Sequence, residues 1–183
     1  MTLDCPADCV YLVQARQNEP ARSPEDLQNE ELFRSIAIPP QFRYQFEPLI
    51  AGLLFALARA AGSHKAWHDR DVISALTDIT RDRERQVRSG IIYQEASPSP
   101  ITDIVRLELE RMVADYRKLE AQRLGATALK DSEVLLALVT LVRIAQNSTN
   151  GRPRSRRFLH GLLAQFPDAA KDATQSGPTI VLS

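Results

Sequence analysis

The sequence predicts an all-α protein, a compact single-domain bundle of about six helices with two apolar helices at its centre. Four long stretches of the 183 residues place apolar side chains at helical spacing. Prolines and capping residues stand where these stretches begin, and glycines stand where most of them end. With 44% apolar and 25% charged residues, the chain has an ordinary globular balance and is long enough to bury one core without staples.

The first predicted helix lies in residues 23–36. Residues 23–26, SPED, combine an N-cap serine, a proline in the first turn and two acids near the positive end of the helix dipole. The helix must stop before Pro39 and Pro40, because a residue that precedes proline avoids the α region. Residues 1–22 are then an N-terminal arm, and residues 23–167 form the helical domain.

Two predicted helices are apolar on almost every side. Residues 48–61 contain a single charge, Arg59, between a starting Pro48 and Gly62, which is expected to end the helix in a left-handed conformation. Residues 132–147 have the same character, with Asp131 expected as the N-cap. A helix without a polar face must be surrounded by other helices, so we expect these two at the centre.

Two longer helices are amphipathic and are expected on the outside. They cover residues 70–89, ending at Gly90, and residues 100–124, ending at Gly125. Their apolar stripes consist of Val72, Ile73, Leu76, Ile79 and Val87 in the first and Ile101, Val105, Leu109, Met112, Tyr116 and Leu119 in the second. A last helix is predicted from about Ser155 to Pro167, followed by a polar, flexible tail over residues 168–183.

Charge and targeting signals narrow the class of protein. The 23 basic and 23 acidic residues give no overall field that would attract nucleic acid or an anionic membrane. The first residues lack a signal or transit peptide, and the longest apolar run is too short to span a bilayer. We therefore expect a cytoplasmic protein with no membrane partner, in which the two cysteines remain thiols.

Cys5 and Cys9 are the first candidate site. Pro6 favours a helix start at Cys5, where the dipole would lower the pKa of the thiol and improve it as a ligand or nucleophile. Two thiolates supply half of a structural zinc site, and His64 and His68 have the same spacing and would complete it. Alternatively, both cysteines are packed free thiols, which are common in proteins, and no cofactor is bound.

Four arginines form the second candidate site. Residues 152–157, RPRSRR, place Arg152, Arg154, Arg156 and Arg157 beside a predicted helix start. Guanidinium groups bind phosphate through paired hydrogen bonds, and free N–H groups at the helix start would add to the same anion site. The alternative is internal pairing with residues 1–33, which hold seven acids and two arginines. No aromatic residues lie between these arginines, so recognition of nucleic-acid bases is not supported.

Arg154 and His160 resemble the arginine and histidine of the helical HEPN ribonucleases. The likeness covers seven residues, with five residues between the two side chains. In that family such a pair serves phosphodiester cleavage, so the resemblance implies RNA cleavage here. The alternative for His160 is an ordinary surface histidine.

Arg83 is a further candidate for anion binding, because it falls in the middle of the apolar stripe of residues 70–89. An unpaired buried charge is costly, so its guanidinium must extend outward or meet a carboxylate. We expect the Arg83 side chain to extend outward into solvent near the helix end. If Arg83 is buried, its candidate partners are Glu47, Glu108 and Asp115.

The chain carries no phosphate-binding glycine loop, no Glu-x-x-His pair and no nucleophile elbow. The leading prediction is therefore a non-enzymatic binding or regulatory protein whose arginines hold an acidic protein or a phosphate-bearing partner, nucleic acid included. A metal- or redox-dependent protein centred on Cys5 and Cys9 is the first alternative, and RNase-like activity at Arg154 and His160 is the second. The pattern indicates no oligomeric state.

Overall fold

The computed structural model describes residues 33, 35–90, 99–126 and 128–169, and over these residues it contains helices and no strand. The six helices belong to one unit, Ile36–Ser183. They are α1 (Phe42–Gln45), α2 (Glu47–Gly62), α3 (Asp69–Ser89), α4 (Pro100–Leu124), α5 (Asp131–Ser148) and α6 (Arg157–Gln165). The all-α prediction is confirmed, whereas most of the predicted helix of residues 23–36 and the tail after residue 169 fall outside the described part; Ser35 and Ile36, which are described, are not helical.

The four long helices form a ring. Helix α2 packs against α4, α4 against α3, α3 against α5, and α5 again against α2. The short α1 lies on α2, and α6 contacts α2, α3 and α5. Among the helices described, none is both long and apolar enough to cross a lipid bilayer.

The core is centred on α2 and α5, as their apolar sequences predict. Nine of the sixteen residues of α2 are buried, and so are nine of the eighteen residues of α5. Leu49, Leu53 and Leu57 of α2 and Val139 and Leu141 of α5 have no exposed surface at all. Burying such side chains removes apolar area from water and supplies the main stabilising free energy of the fold.

The outer helices are buried over only part of their length. No residue of α3 after Thr80, and no described residue of α4 after Val113, is buried. Val87 is 37% exposed and Leu119 is 51% exposed, so neither belongs to the core stripe in which it was expected. Helical spacing identifies the face of a helix but not how far along that face the neighbouring helices reach.

Local signals set most of the helix boundaries. Gly90 (φ 69°) and Gly125 (φ 75°) take the left-handed conformation that closes α3 and α4. At the start of α4, the Ser99 hydroxyl accepts a hydrogen bond from the Thr102 N–H at 3.3 Å. The expectation for Gly62 was wrong, because it is the last helical residue and Ser63 (φ −74°) ends the helix without a left-handed residue.

Helices α2 and α4 approach closely at Gly52. A Cβ atom built on Gly52 would lie 2.9 Å from Cε and 3.1 Å from Sδ of Met112. Those distances are shorter than ordinary van der Waals contact, so the contact depends on a residue without a side chain. An ion pair between Arg59 of α2 and Glu108 of α4 joins the same two helices.

Candidate functional site

The four arginines Arg152, Arg154, Arg156 and Arg157, here called the arginine patch, lie in the α5–α6 connection and the first residue of α6. Ser155 N–H donates to the Arg152 carbonyl at 3.0 Å, which closes a turn around Pro153. The side chains of Arg152, Arg154 and Arg157 are exposed, and Arg156 is half-buried. The turn therefore projects guanidinium groups into solvent from a short stretch of chain.

A buried carboxylate holds this turn in place. Asp69, the first residue of α3, is only 1% exposed. Its Oδ2 accepts hydrogen bonds from the Ser155 hydroxyl at 2.5 Å and the Thr149 hydroxyl at 3.0 Å. Its Oδ2 and Oδ1 also accept the backbone N–H groups of Phe158 at 3.2 Å and Leu159 at 3.1 Å. We call these five residues the Asp69 hub.

The backbone adds a further link at the same point. The Asp69 N–H donates to the Ser155 carbonyl at 2.8 Å. Hydrogen bonds of this kind between residues distant in sequence fix the α5–α6 connection against the start of α3. The positions of the arginine backbones are consequently set by the fold.

The hub also governs the ionisation of Asp69. Burial raises the pKa of this carboxyl group, because it disfavours the charged form. The hydrogen bonds from Ser155, Leu159, Phe158 and Thr149 favour the charged form, and together they leave the pKa of Asp69 below its ordinary value. Asp69 is therefore a carboxylate at neutral pH.

One part of the predicted anion site, the free N–H groups at the helix start, is wrong. Helix α6 begins at Arg157, and its first amides already have partners: Arg157 N–H lies 3.3 Å from the Ser155 hydroxyl, and the next two amides bind Asp69. The helix start therefore offers no free N–H group to an external anion. An anion at this place would contact the guanidinium groups instead.

No ion pair or side-chain hydrogen bond joins the arginine patch to another residue within the described ranges. The Nε atom of Arg156 is buried and has no hydrogen-bond partner there. Elsewhere in the bundle arginines are paired, as Arg106 is with Asp82 at 2.6 Å. The acids of residues 1–31 lie outside the described part, so the alternative of internal pairing stays a prediction.

Arg83 lies apart from the arginine patch. It is separated from Asp69 by about 21 Å along α3, at 1.5 Å per residue. Its side chain is 19% exposed, and Nη1 lies 3.5 Å from Oδ1 of Asp131, which also accepts Nη2 of Arg117 at 2.8 Å. The partner differs from the three carboxylates expected, because Asp131 is not the N-cap: Lys130 takes that position. The two ion pairs, which share Asp131, join α3, α4 and α5.

The two histidines proposed as metal ligands have local partners. They flank Trp67 in the α2–α3 connection, where His64 stacks on the Trp67 ring with centroids 4.4 Å apart. Nδ1 of His64 lies 2.9 Å from the Ala60 carbonyl, and Nδ1 of His68 lies 3.4 Å from Oδ2 of Asp71. The described residues contain no group of three or more side chains suited to a metal ion. Cys5 and Cys9 fall outside them, so the four-ligand site stays a prediction.

Arg154 and His160 are both exposed, the first in the turn and the second on α6. Within the part of the chain that the structure describes, neither side chain forms a hydrogen bond or ion pair with the other. The ribonuclease interpretation stays untested.

Sequence reasoning missed the Asp69 hub. Nothing in the sequence singled out Asp69, and Ser155 was predicted only as the approximate start of the last helix. Neither position carries a sequence signal for the contact, because 86 residues separate them.

Comparison of the chain with protein family models, with curated proteins and with solved structures finds no match.

Proposed function

We propose that this protein is a non-enzymatic binding or regulatory module whose arginine patch holds the anionic groups of an acidic or phosphate-bearing partner. The observation that carries the proposal is the lack of a carboxylate partner for four neighbouring guanidinium groups within the described residues. Arginine suits this role, because its planar group is always charged and binds carboxylate or phosphate through two parallel hydrogen bonds.

The Asp69 hub supports the proposal in a second way. Binding costs free energy when flexible groups must be ordered. Because the turn around Pro153 is already fixed by hydrogen bonds to Asp69, only the side chains of the arginines lose freedom on binding. The same four arginines on a free segment would bind more weakly.

The test is charge reversal of Arg154, Arg156 and Arg157 to Glu together. Fluorescence anisotropy at low salt would measure binding of labelled inorganic polyphosphate and of a labelled poly-glutamate peptide. We expect an affinity loss of at least about 100-fold, because each charge-assisted hydrogen bond contributes about 1.5–3 kcal/mol. Added salt should weaken the wild-type interaction, since exposed charges are screened.

The matched control reverses Arg43, Arg88 and Arg123, three exposed arginines on α1, α3 and α4. This variant has the same net charge as the first and should retain most of the affinity. An equal loss in both variants would show that only overall charge matters. Unfolding of the first variant alone would show that the patch pairs internally, and would contradict the proposal.

A further inference from the structure

The Asp69 hub brings a second basic segment to the arginine patch. Asp69 ends a stretch, residues 64–69, that contains His64, Lys65 and His68. The link from Asp69 N–H to the Ser155 carbonyl is 2.8 Å long. Lys65 precedes Asp69 by four residues, so its Cα lies within about 14 Å of the Asp69 Cα even if the chain between them is extended.

Lys65 is available to a ligand at this place. It is exposed, and no ion pair or hydrogen bond of its side chain occurs within the described part of the chain. The two nearby carboxylates are already engaged: Asp69 is inside the hub, and Oδ2 of Asp71 accepts the His68 N–H at 2.9 Å. Within residues 64–69 the one acid, Asp69, is buried, so Lys65 is the exposed charge that this segment contributes.

We propose that Lys65 and the arginine patch form one surface that binds a chain of phosphate groups, supplied by inorganic polyphosphate or by a nucleic-acid backbone. This inference rests on the proposed function and names its ligand class. A chain of phosphates can contact cations contributed by both segments at once. The amides at the start of α6 are already occupied by the hub, so phosphate groups would be held by the cationic side chains.

The distribution of apolar residues favours phosphate over an acidic protein. Protein–protein interfaces have a core enriched in aromatic and apolar side chains and depleted of charge. The exposed large hydrophobic residues in the described ranges are Tyr44, Val87, Leu107 and Leu119, which lie on α1, α3 and α4. Trp67 of residues 64–69 is buried, and so are Phe158 and Leu159, which directly follow the arginine patch. Phosphate binding needs cations and no apolar core.

The same absence of exposed aromatic rings argues against recognition of bases. Single-stranded nucleic acids are held by rings on which bases stack, and the described part of the two segments exposes no Phe, Tyr or Trp ring. Any nucleic acid would be bound through its phosphates, independently of sequence. Affinity should then depend on the number of phosphates and fall steeply with salt.

The experiment compares the full chain with two single variants, Lys65→Glu and Lys118→Glu. Lys118 is the matched control, since it is exposed and lies on α4, a helix not packed against α6. The probes are labelled tripolyphosphate, long-chain inorganic polyphosphate, mixed-sequence duplex DNA and a poly-glutamate peptide of similar charge. Affinity is measured at several salt concentrations, and unfolding curves establish that each variant is folded.

We expect long polyphosphate to bind more tightly than tripolyphosphate or the peptide. Lys65→Glu should weaken binding of long polyphosphate about fivefold and lower its salt slope by about one, as expected for one lost phosphate contact. Lys118→Glu should leave the affinity for long polyphosphate within about twofold of wild type and its salt slope unchanged. Binding of DNA as well would identify the backbone phosphate as sufficient, and binding of polyphosphate alone would identify the inorganic chain as the ligand.

Different outcomes separate this inference from the proposed function. If the peptide binds as tightly as long polyphosphate, or if Lys65→Glu behaves like Lys118→Glu, the shared phosphate surface is wrong while the arginine patch still binds anions. If the wild-type protein binds none of the probes, the proposed function itself is overturned.

Discussion

Asp69 shows how one side chain can serve both stability and the placement of an exposed cluster of arginines. A buried carboxylate is costly unless its oxygens accept hydrogen bonds. Here two hydroxyl groups and two backbone amides satisfy them. Removal of the charge would leave these donors without a full set of acceptors in a site closed to water. Asp69 is therefore a positioning residue for the arginine patch.

We predict that Asp69→Asn destabilises the protein by about 3 kcal/mol at neutral pH, because buried donors lose a charged acceptor and one oxygen. Urea unfolding monitored by circular dichroism would measure the change. Asp71→Asn is the control: its carboxylate is more exposed and accepts the His68 N–H, so its loss should cost about 1 kcal/mol. Equal effects would mean that the hub contributes no more than an ordinary helix cap.

The deficit of Asp69→Asn should depend on pH in a defined direction. The folded-state pKa of Asp69 is below its ordinary value of 3.8. The stability contributed by its charge is therefore fully present above that ordinary value, which applies to the unfolded chain. It is lost as the pH falls through the lower folded-state pKa. Unfolding curves should accordingly show the gap between wild type and variant narrowing below about pH 4; a constant gap would contradict this account.

At the scale of the helices, the α2–α4 contact depends on Gly52. We predict that Gly52→Leu destabilises the protein by at least about 2 kcal/mol, since the larger side chain would force the helices apart. Gly52→Ala should stay within about 1 kcal/mol of wild type, because the end of Met112 can move and alanine favours the helix. Thermal and urea unfolding would measure both.

Gly161 in α6 provides the control for size. A Cβ there would meet no atom within 4 Å. Gly161→Leu should therefore leave stability unchanged or raise it by up to about 1 kcal/mol, through the higher helix propensity of leucine. A large loss at Gly161, or none for Gly52→Leu, would refute the role of close helix approach.

Sequence alone predicted the long helices well, because their starts and ends are local signals. Pro100, Gly90 and Gly125 define boundaries through their own backbone preferences. Gly62 was misassigned, since the same residue type also fits inside the last turn of a helix. The periodic stripes identified the buried faces but included Val87 and Leu119, because coverage depends on the length of neighbouring helices.

The candidate site was predictable in composition and not in geometry. The arginines and their exposure follow from the sequence pattern, whereas the partner of Arg83 and the hub do not. Contacts such as Asp131 with Arg83, or Asp69 with Ser155, join residues from separate helices and require the three-dimensional arrangement. The predicted metal or redox site at Cys5 and Cys9 lies within residues 1–31, outside the described part of the chain, and it stays a prediction.

For the whole molecule, the uneven burial predicts uneven local stability. Backbone amides of residues 53–57 in α2 and 139–142 in α5 should exchange with deuterium most slowly, because buried side chains surround them. Amides of α3 after Thr80 and of α4 after Val113 should exchange faster, by at least about tenfold. Hydrogen exchange followed by mass spectrometry would measure this, and uniform rates along α4 would contradict it.

The distance between Asp69 and its partners in the chain also sets an order of events during synthesis. The ribosome synthesises Ser155 86 residues after Asp69. The Asp69 carboxylate therefore lacks its hydrogen-bond donors until the α5–α6 connection has emerged. Closing so long a loop is slow compared with forming a helix. The turn that carries the arginines can therefore gain its shape only after α2 to α5 have been synthesised. A nascent or truncated chain lacking α6 would display the basic segment at residues 64–69 alone.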